Sequence, residues 1–311
     1  MAIKPTKYVW RNGKMVDWQD ATLHLMSHVI HYGSSVFEGL RCYELSDGSS
    51  AIFRLQDHIR RLMESAKIYR MEHDFSQEQI CEACHSIISE NNLTNAYIRP
   101  FIFFGEGGMS LNPIGVPVEV CVGAFEWGAY LGEEGLKNGI DVCISSWSRT
   151  TSASIPVLSK AGGHYTNATL IVAEAQRDGY MEGISVGADG MVSEGSGENV
   201  FIVRDGKIYT PPLSSAILGG ITRDTVIKIA EQLDYPIIEQ KLPREMLYIA
   251  DEVFFSGTAA EVTPVRSVDK LPVGTGKPGP ITKAIQDVFF GLFDGRTKDQ
   301  WGWLDHVKTS A

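Results

Sequence analysis

The spacing of apolar residues along this chain switches between a period of two and a period near 3.6, and the switches outline alternating strands and helices. Tyr8–Arg11 and Lys14–Asp17 flank Asn12-Gly13, a two-residue turn that suits a twisted hairpin because both of its positions take positive φ. Residues 51–53 read as a strand and residues 55–70 as a helix, with Leu55, Ile59, Leu62, Ala66 and Tyr69 along its apolar side. Ser76 with Gln79 is a capping box that opens a second helix through about Glu90, and Asn91-Asn92 ends it. Residues 96–104 and 118–125 return to strand character. The composition then changes to a glycine-rich, aromatic-bearing segment around Trp127 and Tyr130, the best interdomain linker in the chain and one suited to wall a pocket.

Beyond it, residues 139–147 read as a strand and residues 163–178 as a helix. Asp189-Gly190 and Asp205-Gly206 mark two further hairpins. Gly219-Gly220 leads into a helix through Leu233, with Thr222 expected at the N-cap. Residues 252–255 form a strand ending in Ser256-Gly257-Thr258-Ala259-Ala260. A last helix carries Ile281, Ile285, Val288, Phe289 and Leu292, and the aromatic tail Trp301-Gly-Trp303-Leu is expected to pack back on the C-terminal domain. The pattern therefore predicts a mixed α/β protein of two domains. These are a smaller N-terminal α/β domain over 1–126, an interdomain loop at 127–136, and a larger C-terminal domain over 137–311.

Composition adds limits. The 311 residues are 43% hydrophobic and 21% charged, ordinary for a globular chain with a large core. A net charge of −10 argues against nucleic acid or an anionic membrane as partner. No apolar run approaches the roughly 18 residues of a membrane span, and the N-terminus shows no leader pattern. Five cysteines without a disulfide-framework spacing suit a reduced, cytoplasmic protein. Cys81 and Cys84 match C-x-x-C but fall on an apolar helix face, and His24, His28 and His31 lack a carboxylate or cysteine to complete a metal set. No metal is expected.

The candidate chemistry centres on Lys160, in IPVLSKAGGHY. A lysine in apolar surroundings loses proton affinity, the condition for an amine that must attack a carbonyl. Glu194, in the small-residue turn SEGSGEN, can approach a planar ligand closely and hold a ring nitrogen protonated. Of the adjacent Arg60 and Arg61, beside an apolar helix face, one can point inward and hold a phosphate bidentately; the alternative is a solvated helix face. The glycines before Thr222 make either an anion site or an ordinary helix cap, and the turn at Gly257-Thr258 can wrap a phosphate or a carboxylate. Tyr97 and Arg99, two apart on a strand, share a sheet face, and the arginine there calls for either a substrate carboxylate or a structural aspartate.

Together these features resemble the branched-chain amino-acid aminotransferases, members of the class IV aminotransferases with the fold type IV of pyridoxal phosphate enzymes. The similarity runs almost end to end and is nearest the bacterial members. It is carried by HYGSSVFEGLR, HIRRLMESAKIYR, YIRPFIF, AFEWGAYLG, SKAGGHY, SEGSGENVF, LGGITRD and DEVFFSGTAAEVTPV. The resemblance implies pyridoxal 5'-phosphate bound between the two domains as a Schiff base on Lys160, which also shuttles the proton. Glu194 would pair with the pyridinium nitrogen and Tyr165 with the 3′ oxygen. Arg61, Gly220, Ile221, Thr222, Gly257 and Thr258 would hold the phosphate, with Leu218 packed on the ring.

Tyr97 and Arg99 would face the substrate, Arg99 taking the distal carboxylate of glutamate. Tyr32, Phe37, Trp127 and Tyr130 would wall the side-chain pocket, with Gly39, Met109, Thr258 and Ala259 beside it. The implied reaction is ping-pong amino transfer from L-leucine, L-isoleucine or L-valine to 2-oxoglutarate. The alternatives are a D-amino-acid or (R)-amine transaminase, or aminodeoxychorismate lyase, of the same fold. The resemblance also implies a homo-oligomer, at least a dimer and as far as a hexamer built as a trimer of dimers. The sequence departs from the family at His164, where Asn usually precedes the tyrosine; no catalytic role is assigned to it.

Overall fold

The computed structural model describes residues 3–128 and 131–307, so Tyr130 and part of the expected linker lie outside the described residues. Two compact units emerge. The first comprises Met1–Gly128, Ser159–Gly163 and Asp299–Ala311, and the second Ala129–Leu158 and His164–Lys298. They depart from the contiguous halves expected at 1–126 and 137–311. The segment carrying Lys160 and the C-terminal tail both belong with the first unit.

The first unit is built on an eight-stranded sheet. Along its main path run Leu304–His306, Ser50–Phe53, Leu40–Glu44, Ala96–Phe104, Val118–Glu126, Tyr8–Arg11 and Lys14–Asp17, and Ser35–Phe37 also pairs with Ala96–Phe104. The pairings are antiparallel. Ile98, Ile102 and Phe104, alternate residues of one strand, share a core with Leu55, Ile59 and Leu62 of helix Leu55–Ile68 and with Ile80, Cys84 and Ile87 of helix Gln77–Glu90. The second helix starts where the capping box says it should: the Gln79 amide donates to Ser76 Oγ at 3.3 Å, and the Ser76 amide donates to Gln79 Oε1 at 2.8 Å. The Asn12-Gly13 turn has φ of 48° and 88°, as its hairpin requires.

The aromatic tail does not pack on the C-terminal domain. Its strand pairs Leu304 with Phe53, and Trp303 sits 5.9 Å from the Phe53 ring under the Arg54 guanidinium. Burying that indole removes on the order of 200 Å² of surface, about 5 kcal/mol as an upper bound, which holds the chain end onto the first unit.

The second unit is built on a nine-stranded mixed sheet. Its order is Val192–Gly195, Glu182–Val186, Ile140–Ile144, Glu261–Val268, Glu252–Gly257, Asn199–Arg204, Lys207–Thr210 and Ile237–Glu239, and Leu271–Pro272 pairs at the side of Glu261–Val268. Helices Tyr165–Arg177, Ile221–Gln232 and Pro280–Asp294 accompany it. The strand expected over 139–147 is shorter than its pattern, because the chain leaves the sheet after Ile144. Thr222 is not the N-cap of its helix. Gly220 is, and Thr222 lies inside the first turn, its side chain buried.

The cysteines and histidines flagged above have structural places. All five cysteines are free of disulfides and buried, and burial pushes Cys42, Cys81 and Cys121 up to about 12 and Cys84 well above its ordinary value, so none of these four is a thiolate near neutral pH. His28 Nε2 donates to the Ser110 carbonyl at 3.1 Å, which leaves Nδ1 to accept from Ser34 Oγ at 2.7 Å. His31 Nε2 donates to the Leu25 carbonyl at 2.9 Å.

Candidate active site

Lys160 is fixed through its main chain. Its amide donates to Ser65 Oγ at 3.0 Å, its carbonyl accepts from the Phe37 amide at 2.9 Å, and the next residue, Ala161, bridges to Val36. The glycines of two sequence motifs make this approach possible. A Cβ on Gly162 would lie 2.4 Å from Ser35 Oγ, and one on Gly33, already left-handed at φ 59°, would lie 3.3 Å from Gly163 Cα. The side chain reaches Phe37, with Nζ 5.1 Å from the ring centre.

Arg99 meets the same ring. Its guanidinium carbon lies 4.5 Å from the Phe37 centroid and 5.1 Å from that of Tyr97, and Nη2 donates to Tyr97 Oη at 3.3 Å. Among the described residues no aspartate or glutamate pairs with Arg99, so the structural-aspartate explanation has no residue to carry it. Instead Arg99 lines a cavity of about 350 Å³ whose other walls include Phe101, Phe103 and Phe125. Tyr97 extends the aromatic cluster to Trp127, 4.9 Å between ring centres. Gly39 is what admits the tyrosine: a Cβ there would stand 1.8 Å from Tyr97 Oη. Tyr32 Oη donates to the Met109 carbonyl at 2.8 Å, and both residues are exposed.

Arg61 is also half-committed. Its Nε and Nη2 donate to Glu38 Oε1 and Oε2 at 2.6 and 3.0 Å, and His58 Nδ1 lies 2.7 Å from Oε2. Glu38 is fully buried. Burial by itself would raise its pKa, but the charge of Arg61 and the hydrogen bonds from Arg61 and His58 outweigh that and hold the carboxyl well below its ordinary value. Burial lowers the pKa of His58 in turn, so this trio is an ionised carboxylate between a cation and a neutral imidazole donor.

In the second unit, Glu194 is nearly inaccessible on strand Val192–Gly195 and its partners include Arg149, Asn199 and Leu218. Arg149 Nη2 stands 2.6 Å from Oε1, while Asn199 Nδ2 and the Leu218 amide each donate to Oε2 at 3.0 Å. Leu218 thus enters through its backbone as well as its half-buried side chain. Gly220 leaves room for Asn199, since a Cβ would fall 1.9 Å from Asn199 Oδ1. Ile221 and Thr222 open the 12-residue helix, whose first amides form a positive end. Gly257 closes strand Glu252–Gly257, and Thr258 and Ala259 make the half-buried turn that follows.

Tyr165 is the first residue of helix Tyr165–Arg177. His164 before it is buried, and burial, with the nearby charge of Arg149, lowers its pKa to about 4. Sequence reasoning missed Arg149, Glu38, His58 and Asn199. Asn199 and Glu38 lay inside motifs already singled out, and His58 lay one turn from Arg61, where i and i+3 share a helix face. Arg149 sits in a polar loop with no local mark.

Two sets of groups are therefore defined. The first unit brings together an amine, an arginine in an aromatic cluster, and an arginine gripped by a buried acid. The second holds a buried carboxylate and a helix N-terminus that presents backbone amides. This chemistry is that of a class of enzymes acting through a phosphorylated aldehyde cofactor, and the chain belongs to the class IV aminotransferase family: the model described as "Amino-transferase class IV" matches residues 35–268.

Among its relatives, the branched-chain-amino-acid aminotransferase of Escherichia coli strain K12 is 54% identical over 308 residues, covering 99% of each chain. That of Pseudomonas aeruginosa is 45% identical over 300 residues, covering 96% of this chain and 97% of the relative. The crystal structure of the Escherichia coli enzyme superposes with a TM-score of 0.96 at 54% identity, covering 97% of this chain and all of that one. The branched-chain amino acid aminotransferase of Thermobaculum terrenum, in its PLP-form, does so at 0.91 and 36% identity, covering 98% of this chain and 99% of that one.

Proposed function

We propose that this chain is a branched-chain amino-acid transaminase. It transfers the amino group of L-leucine, L-isoleucine or L-valine to 2-oxoglutarate, with pyridoxal 5'-phosphate carried as a Schiff base on Lys160. The observation that carries this reading is the Phe37 ring, which has the Lys160 amine at 5.1 Å and the Arg99 guanidinium at 4.5 Å. A reactive amine and a carboxylate receptor share one apolar neighbour, as a site for both an aliphatic amino acid and a dicarboxylate requires.

The donor set suits the cofactor group by group: an amine for the aldehyde, a buried carboxylate for the ring nitrogen, and a guanidinium and helix amides for the phosphate. When bound, the cofactor supplies the electron sink that lets the proton on the substrate Cα leave. Lys160 Nζ would take that proton and deliver it to C4′, the carbon of the former aldehyde. Glu194, buried and paired with Arg149, keeps the ring nitrogen protonated. Arg61, with Ile221, Thr222 and Thr258, binds the phosphate. Tyr165 orients the ring through its phenolic oxygen. Arg99 and Tyr97 bind the distal carboxylate of the dicarboxylate, while Phe37 and Trp127 keep water from the aliphatic side chain.

The enzyme works as a homo-oligomer, at least a dimer and as far as a trimer of dimers, in a reducing cytoplasm that suits its five free thiols. Leu25, Met26, Ile30, Tyr32, Met109 and Leu111 are exposed apolar residues of the first unit, which self-association would cover. The test is purified protein with L-leucine and 2-oxoglutarate. Glutamate formation supports the reading. Turnover with D-alanine or aminodeoxychorismate and none with L-leucine overturns it.

A further inference from the structure

Glu38 carries no role in the chemistry described above, yet both of its oxygens are held by donors. A carboxylate removed from water needs donors at both oxygens. Glu38, at 0% exposure, has Arg61 Nε at 2.6 Å on one oxygen, and Arg61 Nη2 at 3.0 Å and His58 Nδ1 at 2.7 Å on the other, with the Gly39 amide at 3.2 Å. Two parallel N–H···O contacts from one guanidinium form a fork, the geometry that fixes the plane of the arginine as well as its position. His58 and Arg61 lie three apart on helix Leu55–Ile68, and Ser65, which anchors the Lys160 amide, lies one turn further on. One helix face therefore holds Glu38, aims Arg61 and seats Lys160.

An acid beside a phosphate-binding arginine repels the phosphate, so attraction alone does not explain it. Orientation does. A long guanidinium side chain left to itself loses rotamer freedom when the ligand arrives, and a buried fork removes that freedom beforehand. On the reading that Arg61 receives the cofactor phosphate, we propose that Glu38, steadied by His58, is a positioning residue for phosphate recognition. It converts Arg61 from a mobile charge into a directed donor, and the affinity gained is specific to the phosphorylated cofactor.

The test compares two aldehydes that differ only by the phosphate. The full chain, cleared of cofactor, is titrated with pyridoxal 5'-phosphate and with pyridoxal, following protein fluorescence and the absorbance of the adduct. Wild type is expected to favour the phosphate form by about 100-fold or more. Glu38→Gln is expected to lower that preference by about tenfold or more, with pyridoxal affinity held within about twofold. Glu38→Asp keeps the charge but shortens the reach, and is expected to lower the preference by about threefold, which keeps the idea testable if the amide variant folds poorly. Equal losses for both aldehydes, or an unchanged preference in either variant, overturn the role of Glu38. A wild-type chain that binds both aldehydes alike overturns the cofactor reading itself.

Discussion

Lys160 and Phe37 are joined twice: the Phe37 amide donates to the Lys160 carbonyl at 2.9 Å, and the Lys160 amine lies 5.1 Å from the Phe37 ring. The backbone contact fixes where the lysine starts, and the ring contact fixes where its amine can rest. The same ring lies 4.5 Å from Arg99, so the distance from amine to carboxylate receptor is set by one rigid side chain.

Arg99→Leu removes the receptor and keeps the apolar volume. The expected result is a loss of about 100-fold in kcat/KM for 2-oxoglutarate, the scale of a charge-assisted pair, with the single-turnover reaction of L-leucine changed by less than about threefold. Stopped-flow absorbance of each half-reaction separates the two. Parallel losses in both would contradict a dedicated carboxylate role.

Gly39→Ala acts on the Tyr97–Arg99 pair without substituting either residue. The added Cβ falls 1.8 Å from Tyr97 Oη, so the tyrosine must shift, and Arg99 loses its 3.3 Å hydrogen bond to that oxygen. Overpacking of this kind costs about 1–3 kcal/mol. We expect KM for 2-oxoglutarate to rise about tenfold, in steady-state assays, with the KM for L-leucine following less steeply.

Arg149→Met leaves the Glu194 carboxylate buried without the Arg149 counter-charge, with Asn199 and the Leu218 amide still donating to it. Breaking such a pair costs about 3–5 kcal/mol. A cationic ring nitrogen restores part of that loss, so the gain in Tm on adding pyridoxal 5'-phosphate is expected to be larger in the variant than in wild type. Equal gains in differential scanning calorimetry would detach Glu194 from the ring nitrogen.

His164 gives a pH signature. Its folded-state pKa, about 4, lies below the ordinary 6.5 because burial disfavours the cation, with Arg149 adding repulsion. Between these values the unfolded chain binds a proton that the folded chain does not, so stability from this group is full above pH 6.5 and is lost as the pH falls toward about 4. The loss is on the order of 1 kcal/mol, roughly 2–4 °C in Tm. His164→Asn is expected to flatten Tm against pH across that window. A variant as steep as wild type would place the titration elsewhere.

Much of the fold is legible in the sequence because its signals are local. The Asn12-Gly13 turn, the Ser76–Gln79 box and the alternation over Ala96–Phe104 each act within a few residues. What escapes depends on contacts distant in sequence. Trp303 reads as a tail residue until Phe53 and Arg54 receive it, and the strand at Ser35–Phe37 is set by its pairing with residues 101–103. Thr222 reads as a cap because threonine favours that place, yet Gly220 takes it, where a side chain would collide with Asn199.

The site shows the same division. Lys160, Glu194 and Arg61 carry charge in conspicuous motifs. Arg149 is defined only by the carboxylate it meets 45 residues later, from a polar loop that resembles any other.

The most direct test of the account concerns Lys160. Holoenzyme reduced with sodium borohydride, digested and mapped by mass spectrometry is predicted to carry the phosphopyridoxyl group on the peptide containing Lys160, and Lys160→Ala is predicted to carry none. Modification of a different lysine, or persistence of the adduct in Lys160→Ala, would contradict it.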